Sequence, residues 1–104
     1  MKVYIKIINL NGMDYIEADE ETSQLTYNFQ QIKCNVKRFV GEITKVIFNW
    51  DDKYINNSIL DGEEFRIKLV ADNGKEKVIV GKNQFPRNYS EFKRIINEVK
   101  RNGN

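Results

Sequence analysis

The stretch Lys2-Val3-Tyr4-Ile5-Lys6-Ile7-Ile8-Asn9-Leu10-Asn11-Gly12-Met13-Asp14-Tyr15-Ile16-Glu17-Ala18 decides the fold. Its first half alternates: Val3, Ile5 and Ile7 share one side of an extended chain, and Tyr4, Lys6 and Ile8 share the other. Asn11-Gly12 follows, a pair in which both residues tolerate positive φ, as a tight hairpin turn demands. A second strand is expected from Met13 to about Ala18. A sheet with one side turned to a core is therefore the first structural commitment.

The rest of the chain builds on that hairpin. Asp19-Glu20-Glu21 reads as a solvated loop, and Gln24 to Ile32 as a third strand with Leu25, Tyr27 and Phe29 on one side. The period changes at Asn35, a natural N-cap. Val36, Phe39, Val40, Ile43, Val46 or Ile47, and Trp50 then recur at helical spacing. Gly41 inside this helix costs up to about 1 kcal/mol relative to alanine, so either the helix is weakened there or something packs against its backbone. Trp50 to Gly62 reads as a loop. A second hairpin comprises Glu63 to Ala71, a turn at Asn73-Gly74, and Glu76 to Val80. After Gly81 and Pro86, Phe92, Ile95, Ile96 and Val99 form the apolar stripe of a final helix, about Tyr89 to Lys100. Asn88 with Glu91 resembles a capping box, with Ser90 a rival cap. The predicted order is β-β-β-α-β-β-α in one domain. The expected architecture is a two-layer α+β fold: an antiparallel sheet of about five strands with two helices on one face.

Composition removes several functions. The 104 residues contain no histidine and one cysteine, Cys34, so His-ligated zinc, catalytic triads and disulfide frameworks are excluded. Hydrophobic residues at 40% support a core rather than disorder. No apolar run nears the roughly 20 residues a membrane helix needs, and the alternating start does not read as a signal peptide. A lone cysteine suits a reducing compartment, so a cytoplasmic protein is expected. Net charge is only +2, but unevenly spread: residues 1–74 hold nine Lys/Arg against twelve Asp/Glu, residues 75–104 eight against three.

Candidate chemistry is sparse. Cys34, just before a helix, is the one candidate nucleophile, without a histidine base. Glu-x-Lys triplets fall in the last helix, at Glu91-Phe92-Lys93 and Glu98-Val99-Lys100, not on a strand where a nuclease would place them. The glycines never form a phosphate-cradling run. Asp51, Asp52, Asp61 and Glu64 could converge on a divalent cation, although their spacing is not that of an EF-hand and turn formation explains them more simply. Lys82, Arg87, Lys93, Arg94, Lys100 and Arg101 form a basic loop and helix that could contact nucleic acid, with Tyr4, Tyr27 and Tyr54 as stacking groups. Trp50, Tyr54 and Ile55 have the composition of an interface hot spot, while the helical register of Trp50 also suits the core.

The second half carries a further pattern. Trp50-Asp51 is followed by Asp61-Gly62-Glu63-Glu64-Phe65-Arg66-Ile67, then Asp72-Asn73-Gly74, then Gly81-Lys82-Asn83-Gln84-Phe85-Pro86-Arg87-Asn88-Tyr89-Ser90-Glu91-Phe92. This resembles an uncharacterised family of small bacterial proteins with a Trp-Asp segment, an Asp-Gly turn opening a hairpin, and a Gly-x-Asn-x-aromatic-Pro-x-x-aromatic entry to the last helix. The likeness covers about residues 50–96, and the first half resembles the family only in layout. Phe65 stands where tryptophan is expected, and Phe85 where tyrosine is commoner. The resemblance implies a fold and no activity. In the motif, Gly81 is expected to end a strand, Pro86 to block its continuation, and Phe85, Tyr89 and Phe92 to pin the last helix.

The expected function is non-enzymatic binding of another protein. Small stand-alone domains without catalytic groups commonly occupy a site on something larger, as inhibitors encoded by phages or mobile elements do, anti-CRISPR proteins among them. The partner-contacting candidates are Trp50, Tyr54, Ile55, Lys82, Arg87, Lys93, Arg94 and Arg101. Nucleic acid at the basic loop and helix, and a divalent cation in the Asp51–Glu64 loop, are the alternatives. No cofactor or catalytic residue is expected, and the chain could be a monomer or a homodimer paired through an edge strand.

Overall fold

The computed structural model describes residues 1–57 and 62–102. Its elements are β1 (Lys2–Asn9), β2 (Gly12–Asp19), β3 (Gln24–Tyr27), β4 (Gln30–Gln31), α1 (Val36–Ile47), β5 (Lys53–Ile55), β6 (Glu64–Val70), β7 (Glu76–Lys82) and α2 (Tyr89–Asn102). The strands form one sheet in the order β4-β3-β2-β1-β6-β7-β5. All neighbours are antiparallel except β5 and β7, which run parallel. The two-layer α+β class is as expected. The sheet has seven strands among the described residues, however, and it is mixed, not five-stranded and antiparallel.

Both extra strands have identifiable causes. Asn28 and Phe29 take positive φ, 48° and 70°, and two such residues reverse a chain tightly. The expected single strand from Gln24 to Ile32 therefore folds back, pairing Tyr27 with Gln30 and Thr26 with Gln31. Asn28 anchors the turn: its side chain accepts from the Tyr15 amide at 2.8 Å and donates to the Met13 carbonyl at 3.1 Å. Phe29 consequently leaves the line of Leu25 and Tyr27 and is exposed. In the expected Trp50–Gly62 loop, β5 instead lies beside the outer edge of β7. The Val80 amide donates to Asp52 at 2.9 Å, and the Asn56 amide donates to Lys82 at 2.8 Å.

One side of the sheet is apolar: Val3, Ile5 and Ile7 on β1, Ile16 and Ala18 on β2, Leu25 on β3, Phe65 and Ile67 on β6, and Ile79 on β7. Val36, Phe39, Val40, Ile43 and Ile47 of α1, and Phe92, Ile95, Ile96 and Val99 of α2, close over it as one cluster. Burying each such side chain contributes roughly 1.5–3 kcal/mol, which offsets the poor helix propensity of the β-branched residues in α1. Asn35 caps α1 as expected, its side chain accepting from the Arg38 amide at 3.0 Å. Nothing packs within 4 Å of a Cβ placed at Gly41, so the close-packing explanation for that glycine does not apply. Glu91, expected to close a capping box, gives its carboxylate to Arg94 at 2.6 Å.

Gly81 does not end a strand; it lies within β7 with the Phe65 ring across it. A Cβ there would come within 2.0 Å of that ring. Phe65 in turn touches Trp50, Tyr54, Phe85, Tyr89 and Phe92, with centroids 5.0–6.5 Å apart. Gly81→Ala should therefore destabilise the fold by about 1–3 kcal/mol through overpacking. Denaturant unfolding should show most of this loss recovered in the Gly81→Ala, Phe65→Leu double variant relative to Phe65→Leu alone; a full additive loss would locate the strain elsewhere.

Candidate functional site

Because both helices cover one side, the other side of the sheet stays open. Strand register arranges its residues in rows. One row runs Thr26, Glu17, Tyr4, Lys68, Val78. The next runs Tyr15, Lys6, Arg66, Val80, Lys53. The third runs Met13, Ile8, Glu64, Lys82, Ile55. Ile8, Met13 and Ile55 are 39%, 41% and 46% exposed. Phe29 leans on Tyr15, their ring centroids 5.4 Å apart, and extends the apolar end of this face beside Met13. Leu10, in the adjoining β1–β2 turn, is 82% exposed.

Polar groups on this face are partly matched. Lys68 reaches Glu76 at 3.2 Å and lies over the Tyr4 ring, 5.8 Å from its centre. Lys82 reaches Glu64 at 3.7 Å. The Tyr15 hydroxyl donates to Glu17 at 2.7 Å, and that bond, with burial and the charge of Glu17, pushes its pKa up to about 12.

The residues expected to touch a partner do not form one site. Trp50 is only 7% exposed, inside the aromatic cluster. Tyr54 is half-buried against Trp50 and Phe65, its hydroxyl accepting from the Asp51 amide at 2.8 Å. Ile55 and Lys82 are register neighbours on the open face. Arg87 and Arg101 are exposed, one before α2 and one near its end. Lys93 binds Glu63 at 2.7 Å, and Arg94 binds Glu91 and Glu98 at 2.6 and 2.5 Å. Lys100 reaches Asp14 at 3.3 Å. Much of the basic charge of α2 is thus met by neighbouring carboxylates. Tyr27 is also engaged, donating to Asp14 at 2.6 Å. Of the three tyrosines considered for stacking, Tyr4 stands on the open face; Tyr15, one row along, is not among those the sequence singles out. A period-2 strand whose wet side still carries Tyr, Ile and Met was the available signal.

Other candidate chemistry has less support. Burial pushes the Cys34 thiol above its usual pKa, the opposite of an activated nucleophile. Asp61 lies outside the described residues, and among the described residues no three potential ligands gather around a point. No described helix is long and apolar enough to cross a membrane. The motif of the second half does structural work: a Cβ at Gly62 would collide with the Asn83 side chain, and Asn83 itself has φ 58°. No protein-family model, curated protein or solved structure matches the chain.

Within the motif, Glu63 clasps β1 to α2, taking three donors from those two elements. It accepts from Asn9 at 2.8 Å at the end of β1, from Lys93 at 2.7 Å, and from the Tyr89 hydroxyl in the first turn of α2. Burial alone would raise its pKa; the bonds from Lys93, Tyr89 and Asn9 outweigh it and hold the carboxyl below its ordinary value. A depressed folded-state pKa gives stability that is present above the unfolded-state pKa of about 4.3 and lost as pH falls through the folded value. Unfolding free energies from pH 6 down to pH 3 should fall less steeply in Glu63→Gln than in the parent; parallel curves would show that the clasp does not titrate.

Proposed function

We propose that this chain is a non-enzymatic binding protein that docks another protein on the open face of its sheet. The observation that carries this reading is the run Leu10, Ile8, Met13, Tyr15 and Phe29, an apolar end bordered by Lys6, Arg66 and Lys82. Exposed apolar patches with polar rims mark interaction surfaces, and aromatic residues, Met and Arg are the types enriched at protein interfaces. An inhibitor that covers a site on a larger protein, of the sort phages and mobile elements encode, is a member of this class. The face suits nucleic acid less well, because Glu17 and Glu64 stand among its cations, and the cations of α2 are largely engaged by carboxylates.

The test compares two variants purified with their partners from the native cell. Ile8→Lys with Met13→Glu should lose a stoichiometric protein partner while keeping its unfolding midpoint within a few degrees. Arg94→Glu with Arg101→Glu should retain it. Partner recovery that survives the first variant, fails with the second, or gives way to co-purifying nucleic acid would reject the open face as the docking surface.

A further inference from the structure

Lys6 and Arg66 are direct cross-strand partners on β1 and β6 at the middle of the sheet. Side chains so placed have Cβ atoms about 4.5–5.5 Å apart, and like charges there repel. Sheets commonly relieve such a pair with a neighbouring carboxylate. Here Glu17, Glu64 and Glu76 on the same face are engaged by Tyr15, Lys82 and Lys68. Among the described residues, no ion pair reaches Lys6 or Arg66. The two cations line a concavity of about 390 Å³ walled by Tyr4 and Tyr15, with Lys68 beside them. Cationic donors are concentrated there, and among the described residues no carboxylate lines the concavity. One row further along lie the apolar Ile8 and Met13.

We propose that this concavity receives the carboxylate of a Glu or Asp side chain from the bound protein. Arg66 and Lys6 donate to it, and an adjacent apolar side chain of the partner rests on Ile8 and Met13. The proposal rests on the open-face reading and adds the chemistry of the partner's contact. A single carboxylate fits better than a nucleic-acid backbone, whose successive phosphates would pass Glu17 or Glu64. Arg presents a planar fork matched to a carboxylate, and the partner's charge would remove a repulsion that the free protein carries.

Amide chemical-shift mapping of the full chain tests this with three probes: capped Leu-Glu-Leu, capped Leu-Gln-Leu, and an eight-nucleotide oligothymidylate. The Glu peptide should shift Tyr4, Lys6, Tyr15 and Arg66, binding at least fivefold more tightly than the Gln peptide, and Arg66→Gln should abolish that preference. Lys6→Glu, which places opposite charges across the two strands, should lose the peptide yet raise the thermal midpoint by about 1–5 °C. Equal open-face shifts from both peptides would overturn the carboxylate seat and leave the docking face standing. Absence of shifts from either peptide, or a Lys6→Glu midpoint that falls as binding is lost, would also overturn the seat. Preferential binding of the oligothymidylate to this face, or peptide shifts confined to α2, would overturn both.

Discussion

The contact on which the architecture turns is the Phe65 ring lying over Gly81. It sits where β6 and β7 pair, and its ring also meets side chains from the segment after α1, from β5, from the Pro86 loop and from α2. A side chain at position 81 would force that ring to shift and disturb its contacts with Trp50, Tyr54, Phe85 and the start of α2. The Gly-x-Asn-x-aromatic-Pro pattern then has a steric rationale. Gly81 gives the ring room, Asn83 turns the chain through positive φ, and Phe85 and Tyr89 stack with centroids 4.6 Å apart to lead into α2.

That arrangement spends both helices on one side of the sheet. What remains on the other side is set by period 2 alone: every inward Val or Ile fixes an outward neighbour. On β1 and β2 those neighbours include Tyr4, Ile8, Met13 and Tyr15, side chains that a purely solvated face would not favour. The fold therefore presents a broad surface backed across β1, β2, β6 and β7 by the core. Function placed on such a surface needs no moving lid.

Much of this was readable in the chain. Asn11-Gly12 and Asn73-Gly74 marked the two hairpins, although the first turn is Leu10-Asn11, with Gly12 already in β2 and paired to Asn9, and only the glycines of the two pairs take positive φ. The apolar stripes of α1 and α2 announced helices that need covering. The misread elements share a cause: their determinants are not local. Alternation continues unbroken through Asn28-Phe29, and a phenylalanine with positive φ is not a turn signal; its cost is met by Tyr15 and by the docking of Asn28 on β2. Three residues of β5 are too few to show a period, and their ladder comes from β7, far along the sequence. The candidate site was half legible. Tyr4, Lys6 and Ile8 were visible as one side of a strand, but the meeting of Lys6 with Arg66 depends on register between distant strands. The basic character of α2 was visible too, and the spacing of Glu91 and Glu98 about Arg94 was open to reading; the compensation by Glu63 and Asp14 was not, because both arrive from other elements.

The sheet's outermost members, Gln30–Gln31 on one flank and Lys53–Ile55 on the other, hold little unpaired backbone between them. A stray polypeptide seeking a ladder to join would find rungs for only a residue or two before the template ran out. Inward of the second flank, β5 covers only Val80, Gly81 and Lys82 of β7, so among the described residues the stretch from Glu76 to Ile79 has a strand on one side alone, and it is the longer template the sheet offers.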